Sequence, residues 1–168
     1  MKRLVAMLSF CVCLGVGIQA RCAKLPDACG DDKVKFDVTT QEGRPAPNGP
    51  AEGKAQIVFI EGGGGRRDTV RFGVDGAWIG ATTGNSYFTL EVAPGMHHLC
   101  ASWLGGTREF DLAPVTAEAG RVYYFAAEVT RSQYYWHFGL SQLNDDQGKY
   151  RVKTWKLSTS KPKPENQN

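Results

Sequence analysis

The chain has 168 residues, 42% of them hydrophobic, and a formal net charge of +3 at neutral pH. That length fits one domain of ordinary size. Lys2 and Arg3 belong to an N-terminal segment of export type, and removing their two charges leaves +1, too little to form an electrostatic footprint for nucleic acid.

The first twenty residues have the three parts of a secretory signal peptide. Lys2 and Arg3 are the positive start, Leu4 to Ile18 is an uncharged, mostly apolar run, and Ala20 is a small residue at the cleavage position. The apolar run is shorter than the ~20 residues that a membrane span needs. Cleavage after Ala20 leaves Cys22, Cys29 and Cys100, an odd number in an exported chain, and three pairings are open. The candidate disulfide is Cys29–Cys100, because it would staple the N-terminal arm to a core strand. Lipidation of Cys22 would also balance the count and would attach the chain to a membrane, as would an uncleaved N-terminal anchor. Arg21, directly before Cys22, is not the small residue that a lipoprotein signal places there.

Residues 21–53 read as a polar, cysteine-containing arm followed by a Pro/Gly-rich linker. The domain is expected over residues 54–160, with a disordered tail over 161–168. Ala55 to Glu61 is the first clear strand; its run Ile57-Val58-Phe59-Ile60 suits burial on both faces. Gly62 to Asp68 reads as a loop. Thr69 to Val74 alternates Val70, Phe72 and Val74 against Thr69, Arg71 and Gly73, the period of a half-buried strand. Asp75-Gly76 signals a type I′ turn into Ala77 to Ala81. Thr82 to Asn85 turns again into Ser86 to Val92, where Phe88, Leu90 and Val92 share a face. Pro94-Gly95 predicts a type II turn into His97 to Leu104. The stretch Val70 to Ala101 thus reads as two successive hairpins.

Arg108 to Val115 is expected to turn Phe110 and Leu112 inward, with Pro114 at a strand end or sheet edge. Arg121 to Thr130 and Tyr134 to Leu143 follow as neighbouring strands. Asn144-Asp145 caps a short helix near residues 145–152, weakened by Gly148, and Lys153 to Leu157 offers a last short strand. The expectation is an all-β chain: one β-sandwich of about seven or eight antiparallel strands.

The ordered motifs Val74-Asp75-Gly76-Ala77-Trp78-Ile79-Gly80, Tyr87-Phe88, Pro94 to Ala101 and Ala117 to Phe125 resemble a bacterial exported and lipoprotein family whose domain has no known function. The Asp-Gly-x-x-Ile-Gly and Pro-Gly-x-His elements are similar to PEGA-type modules, which are small β-sandwiches. The resemblance covers roughly residues 55–160. It implies a sandwich fold and an extracytoplasmic compartment, periplasmic or extracellular, and carries no catalytic residue with it.

The chemistry-bearing residues select no enzyme. His97 and His98 are adjacent on a strand and point to opposite faces, and a structural zinc site needs four converging ligands; neither a metal nor a cofactor is expected. Glu61 to Arg67 is rich in glycine but lacks the Gly-Lys-Ser/Thr and following helix of a phosphate loop. Ser86, His98 and Asp111 could form a hydrolase triad only if the fold brought them together. The aromatics Trp103, Tyr134 and Trp136 are the candidate ligand contacts. The expected role is a non-enzymatic envelope or secreted module for protein interaction or envelope structure, with carbohydrate or surface binding and an unrecognised hydrolase as alternatives. The partner would be an unknown envelope protein or glycan.

Overall fold

The computed structural model describes residues 29–42, 48–62, 69–104, 109–131, 133 and 136–164. The export segment, Cys22 and Tyr134 lie outside the described residues. In chain order the elements are β1 (Phe36–Gln41), β2 (Ala55–Gly62), β3 (Thr69–Val74), β4 (Ala77–Thr83), β5 (Ser86–Val92), β6 (Gly95–Trp103), β7 (Glu109–Ala117), β8 (Val122–Arg131), β9 (Trp136–Leu143), α1 (Asp145–Thr154) and β10 (Lys156–Pro162). They form a six-stranded sheet, β1-β10-β5-β2-β8-β9, facing a four-stranded sheet, β4-β3-β6-β7.

The core lies between the sheets. Ile57 and Phe59 of β2 meet Val70 and Phe72 of β3 and Leu99 and Ala101 of β6. Phe59 packs 5.0 Å from Phe72 and 5.2 Å from Phe88, ring centre to ring centre, in the tilted and offset arrangements that aromatic quadrupoles favour. The outer face of the large sheet is also covered. Val58, Ile60 and Tyr124 pack under Val152 of α1. β2 is therefore buried along its whole length, which its continuous apolar run requires.

Helix α1 starts where the sequence places it. Asn144 accepts from the Gln147 N–H, and the Gln147 side chain returns a bond to the Asn144 N–H, a complete capping box. Gly148, a weak helix former, has a packing reason. A Cβ there would lie 2.1 Å from Tyr124 Cγ, so only glycine lets the helix lie this close to the sheet.

The outer face of the small sheet is covered by residues 29–34. The Cys29–Cys100 disulfide fixes this strap to β6, and both cysteines are fully buried. Arg71 points outward from β3 yet is only 1% exposed. Its Nη1 donates to the carbonyl oxygens of Asp32 and Val34, and its guanidinium lies 4.3 Å from the centre of the Trp78 ring. Trp78 Nε1 donates to the Asp31 carbonyl at 2.6 Å. Gly73 admits the strap: a Cβ there would lie 2.9 Å from the Cys29 carbonyl oxygen.

Both open sides of the sandwich are closed by side chains bonded to strand backbone. At one side Ser158 Oγ of β10 donates to the Ala81 carbonyl of β4, and the Ala81 N–H donates to Ser160 Oγ, each at 3.0 Å. At the other, the Leu140 N–H of β9 donates to Asp111 Oδ2 of β7 at 2.8 Å. The Ala81 N–H and carbonyl on edge strand β4 and the Leu140 N–H on edge strand β9 are thereby occupied and cannot pair with another chain.

The structure corrects six expectations. There are ten strands, not seven or eight, and they are not all antiparallel: β2 runs parallel to β8 from Gln56↔Val122 to Gly62↔Glu128, and β10 runs parallel to β5 over two residue pairs. Turn residues specify a reversal between consecutive strands and are silent about strands distant in sequence. The arm is not merely polar cover, since β1 pairs with β10 from Phe36↔Pro162 to Gln41↔Leu157; for the same reason the expected tail begins inside β10. The second expected hairpin is a corner, because β5 lies in the large sheet and β6 in the small one. Phe110 and Leu112 face outward, and the smaller Ala113, Val115 and Ala117 face the core. The first hairpin stands as expected, with positive φ at Asp75 and Gly76, 50° and 87°.

Two stability changes follow from this packing. Gly148→Ala should cost about 1–3 kcal/mol, because the helix must lift from Tyr124; urea unfolding monitored by tryptophan fluorescence measures it. The paired Cys29→Ser and Cys100→Ser change opens a loop spanning 71 positions and should cost about 4 kcal/mol on loop-closure entropy, read in the same assay.

Candidate functional site

The residues expected to carry chemistry are dispersed. Trp103 is 3% exposed and belongs to the core, so it offers no ring to a ligand. Its position on the inward-facing phase of β6, with Leu99 and Ala101, accounts for that. Trp136 opens β9 opposite Arg131, with its side chain outside the described residues. Ser86 is buried and its hydroxyl bonds the Thr83 N–H and carbonyl. Both Asp111 oxygens accept backbone N–H groups, from Leu112 and Leu140. His98 lies 4.0 Å from Asp75. The serine, the histidine and the aspartate thus each have separate neighbours, and no triad is assembled from them.

His97 and His98 converge on one carboxylate instead. Asp75, at the tip of the β3–β4 hairpin, accepts from the His98 N–H through Oδ1 at 2.8 Å and from His97 Nδ1 through Oδ2 at 2.6 Å. The other ring nitrogen, His97 Nε2, bonds the Ala93 carbonyl at 2.8 Å. A carbonyl and an ionised carboxylate only accept, so this geometry favours the protonated ring, with hydrogen on both nitrogens. Its pKa is raised above 6.5, first by the Ala93 carbonyl and then by Asp75. The Asp75 pKa is lowered below 3.8, first by the His98 N–H and then by His97. In the protonated form both nitrogens are engaged, and the ring offers no lone pair to a metal or for proton abstraction. It works as a tie between the hairpin tip and the β5–β6 corner.

A set of side chains available for recognition lies on the β8–β9 pair. A groove of about 240 Å³ is lined by Asp111, Glu128, Thr130, His137, Phe138, Gly139, Leu140 and Ser141. Register explains it. Thr130 faces His137 across the pair, Glu128 faces Gly139, and Ala126 faces Ser141; alternation puts these six on one face. Gly139 leaves a gap at the centre of this array. Glu128 is fixed beside it by Arg151 of α1, whose Nη2 lies 2.5 Å from Glu128 Oε1. Arg151 is itself braced over the Trp155 ring at 5.1 Å. Among the described residues, the side chains of Thr130, His137 and Ser141 make no internal hydrogen bond.

Sequence reasoning missed this groove. The available signal was Gly139 inside a strand, where an isolated glycine marks a bulge or a close approach. Among the described residues, no group of three or more histidine, cysteine or acidic side chains is placed to hold a metal.

The His97 tie makes stability depend on pH. A raised pKa contributes stability that is complete below 6.5 and is lost as pH rises through the folded value. The depressed Asp75 contributes stability above 3.8 that is lost as pH falls through its own folded value. The thermal midpoint of the native chain should therefore decline as pH rises above 6.5, and His97→Gln should flatten that decline. Scanning calorimetry across the range reads both.

No protein-family model matches the chain, and neither a curated protein nor a solved structure matches it.

Proposed function

We propose that this chain is a non-enzymatic, exported module of the cell envelope that binds a partner or supports envelope structure. The observation that carries the reading is the buried Cys29–Cys100 disulfide, a bond that forms and persists in oxidising compartments. It agrees with the signal-type segment before Arg21. A second support is the use made of reactive groups: His97, Asp75, Ser86 and Asp111 are all engaged in bonds that hold the fold. Carbohydrate recognition is the second reading, favoured by the open polar groove around Gly139.

Fractionation of a bacterial host, with N-terminal sequencing and thiol labelling, tests the compartment. Export predicts an N-terminus near Arg21 and no labelling of Cys29 or Cys100. A cytoplasmic protein that starts at Met1 and labels at both cysteines overturns the proposal. Turnover of ester, peptide or glycoside substrates, abolished by His98→Ala, would restore the hydrolase reading.

A further inference from the structure

Gly139 has no structural explanation within the fold. Its φ lies outside the left-handed region, and a Cβ there would meet only Asp111 Oδ2, at an ordinary 3.7 Å. Any side chain fits the backbone and alanine fits the space, yet glycine weakens a strand interior. What glycine provides is the gap itself. Contrast Gly148, whose missing Cβ is filled by Tyr124. The Gly139 gap is filled by nothing and opens to solvent.

We propose that the groove centred on Gly139 seats a single saccharide unit, an inference that rests on the binding-module reading above. The size supports this. At about 240 Å³, the space is below the ~300–1,000 Å³ of pockets that enclose drug-sized ligands, and suits one sugar ring. The chemistry also fits. Sugar hydroxyls both donate and accept, as the Thr130 and Ser141 hydroxyls do, and the His137 imidazole adds a further polar group; all three side chains are on the rim and free of internal bonds. Glu128 supplies a fixed acceptor, because Arg151 holds its carboxylate in place. A metal cation suits the groove less well: Glu128 is already paired with Arg151, and both Asp111 oxygens accept backbone N–H groups.

The test is amide NMR of the ¹⁵N-labelled purified chain, titrated separately with a neutral hexose, an N-acetylhexosamine and a hexuronate. At least one should give saturable shifts confined to the amides around Thr130, His137, Gly139 and Ser141, with a Kd of about 1–10 mM, the range expected for a small ligand in an open groove. Gly139→Leu fills the gap and should weaken that sugar at least tenfold, about 1.4 kcal/mol, with the thermal midpoint unchanged. If Gly139→Leu fails to fold, Thr130→Ala with His137→Ala serves, and the same loss is expected. No saturable shift with any of the three sugars up to about 100 mM, well above the predicted range, overturns the site. So do saturable shifts elsewhere, or full affinity in the variants. Capture of a discrete envelope protein alongside a negative titration removes the saccharide site and leaves the module reading standing.

Discussion

Arg71 is the point on which the small sheet depends. A guanidinium cannot be deprotonated at any physiological pH, and leaving one buried without partners would cost several kcal/mol. The strap of residues 29–34 is what makes the burial tolerable, through the carbonyl oxygens of Asp32 and Val34. The strap has little apolar surface of its own, so the dependence is mutual. It is held by the arginine, by the Trp78 indole N–H and by the disulfide, three ties of different chemistry on one short segment. Each reinforces the others, because the entropy of ordering the segment is spent once. Without the strap, the small sheet would present Arg71, Trp78 and Cys100 to water on a face that no other described element covers.

The sequence made the strand positions legible because their signals are local. Alternation in Val70-x-Phe72-x-Val74, the Asp75-Gly76 turn and the continuous run Ile57 to Ile60 each report an environment that the fold then supplies. The partners of those strands were not legible. Pro94-Gly95 reverses the chain equally well within a sheet or between two, and nothing in its residues chooses. The parallel pairing of β2 with β8 is set by which strands can be buried on both faces, a property of the whole sandwich. β1 escaped notice because Phe36-Asp37-Val38-Thr39-Thr40-Gln41 is an edge strand, with too little apolar surface to stand out from the arm.

The phase of β7 shows how size can mislead. Phe110 and Leu112 are the largest apolar residues in that strand, yet they face outward, Phe110 against the disulfide. Ala113, Val115 and Ala117 face inward, because the aromatic side chains of the opposite sheet already occupy that volume. The candidate site was hidden for a related reason. It is built from residues ordinary in isolation, Thr130, His137 and Ser141, and becomes a groove only through cross-strand register and the missing side chain of Gly139. The residues that looked most chemical, His97 and His98, are drawn into holding a hairpin tip against a corner.

The pairing of β1 with β10 has a consequence for the order in which the molecule can be completed. Phe36 sits opposite Pro162, so β1 must wait for a strand synthesised long after it. β10 also carries Ser158 and Ser160, which close the β4 side of the sandwich. A ribosome therefore makes every strand from β1 to β9, and α1, before either the large sheet or that seam can close. Contacts this distant in sequence slow folding, because loop closure must precede the bonds that compensate for it. Until then β4 and β5 each present an unpaired edge, and the growing chain is at its most vulnerable to pairing with a neighbour of its own kind.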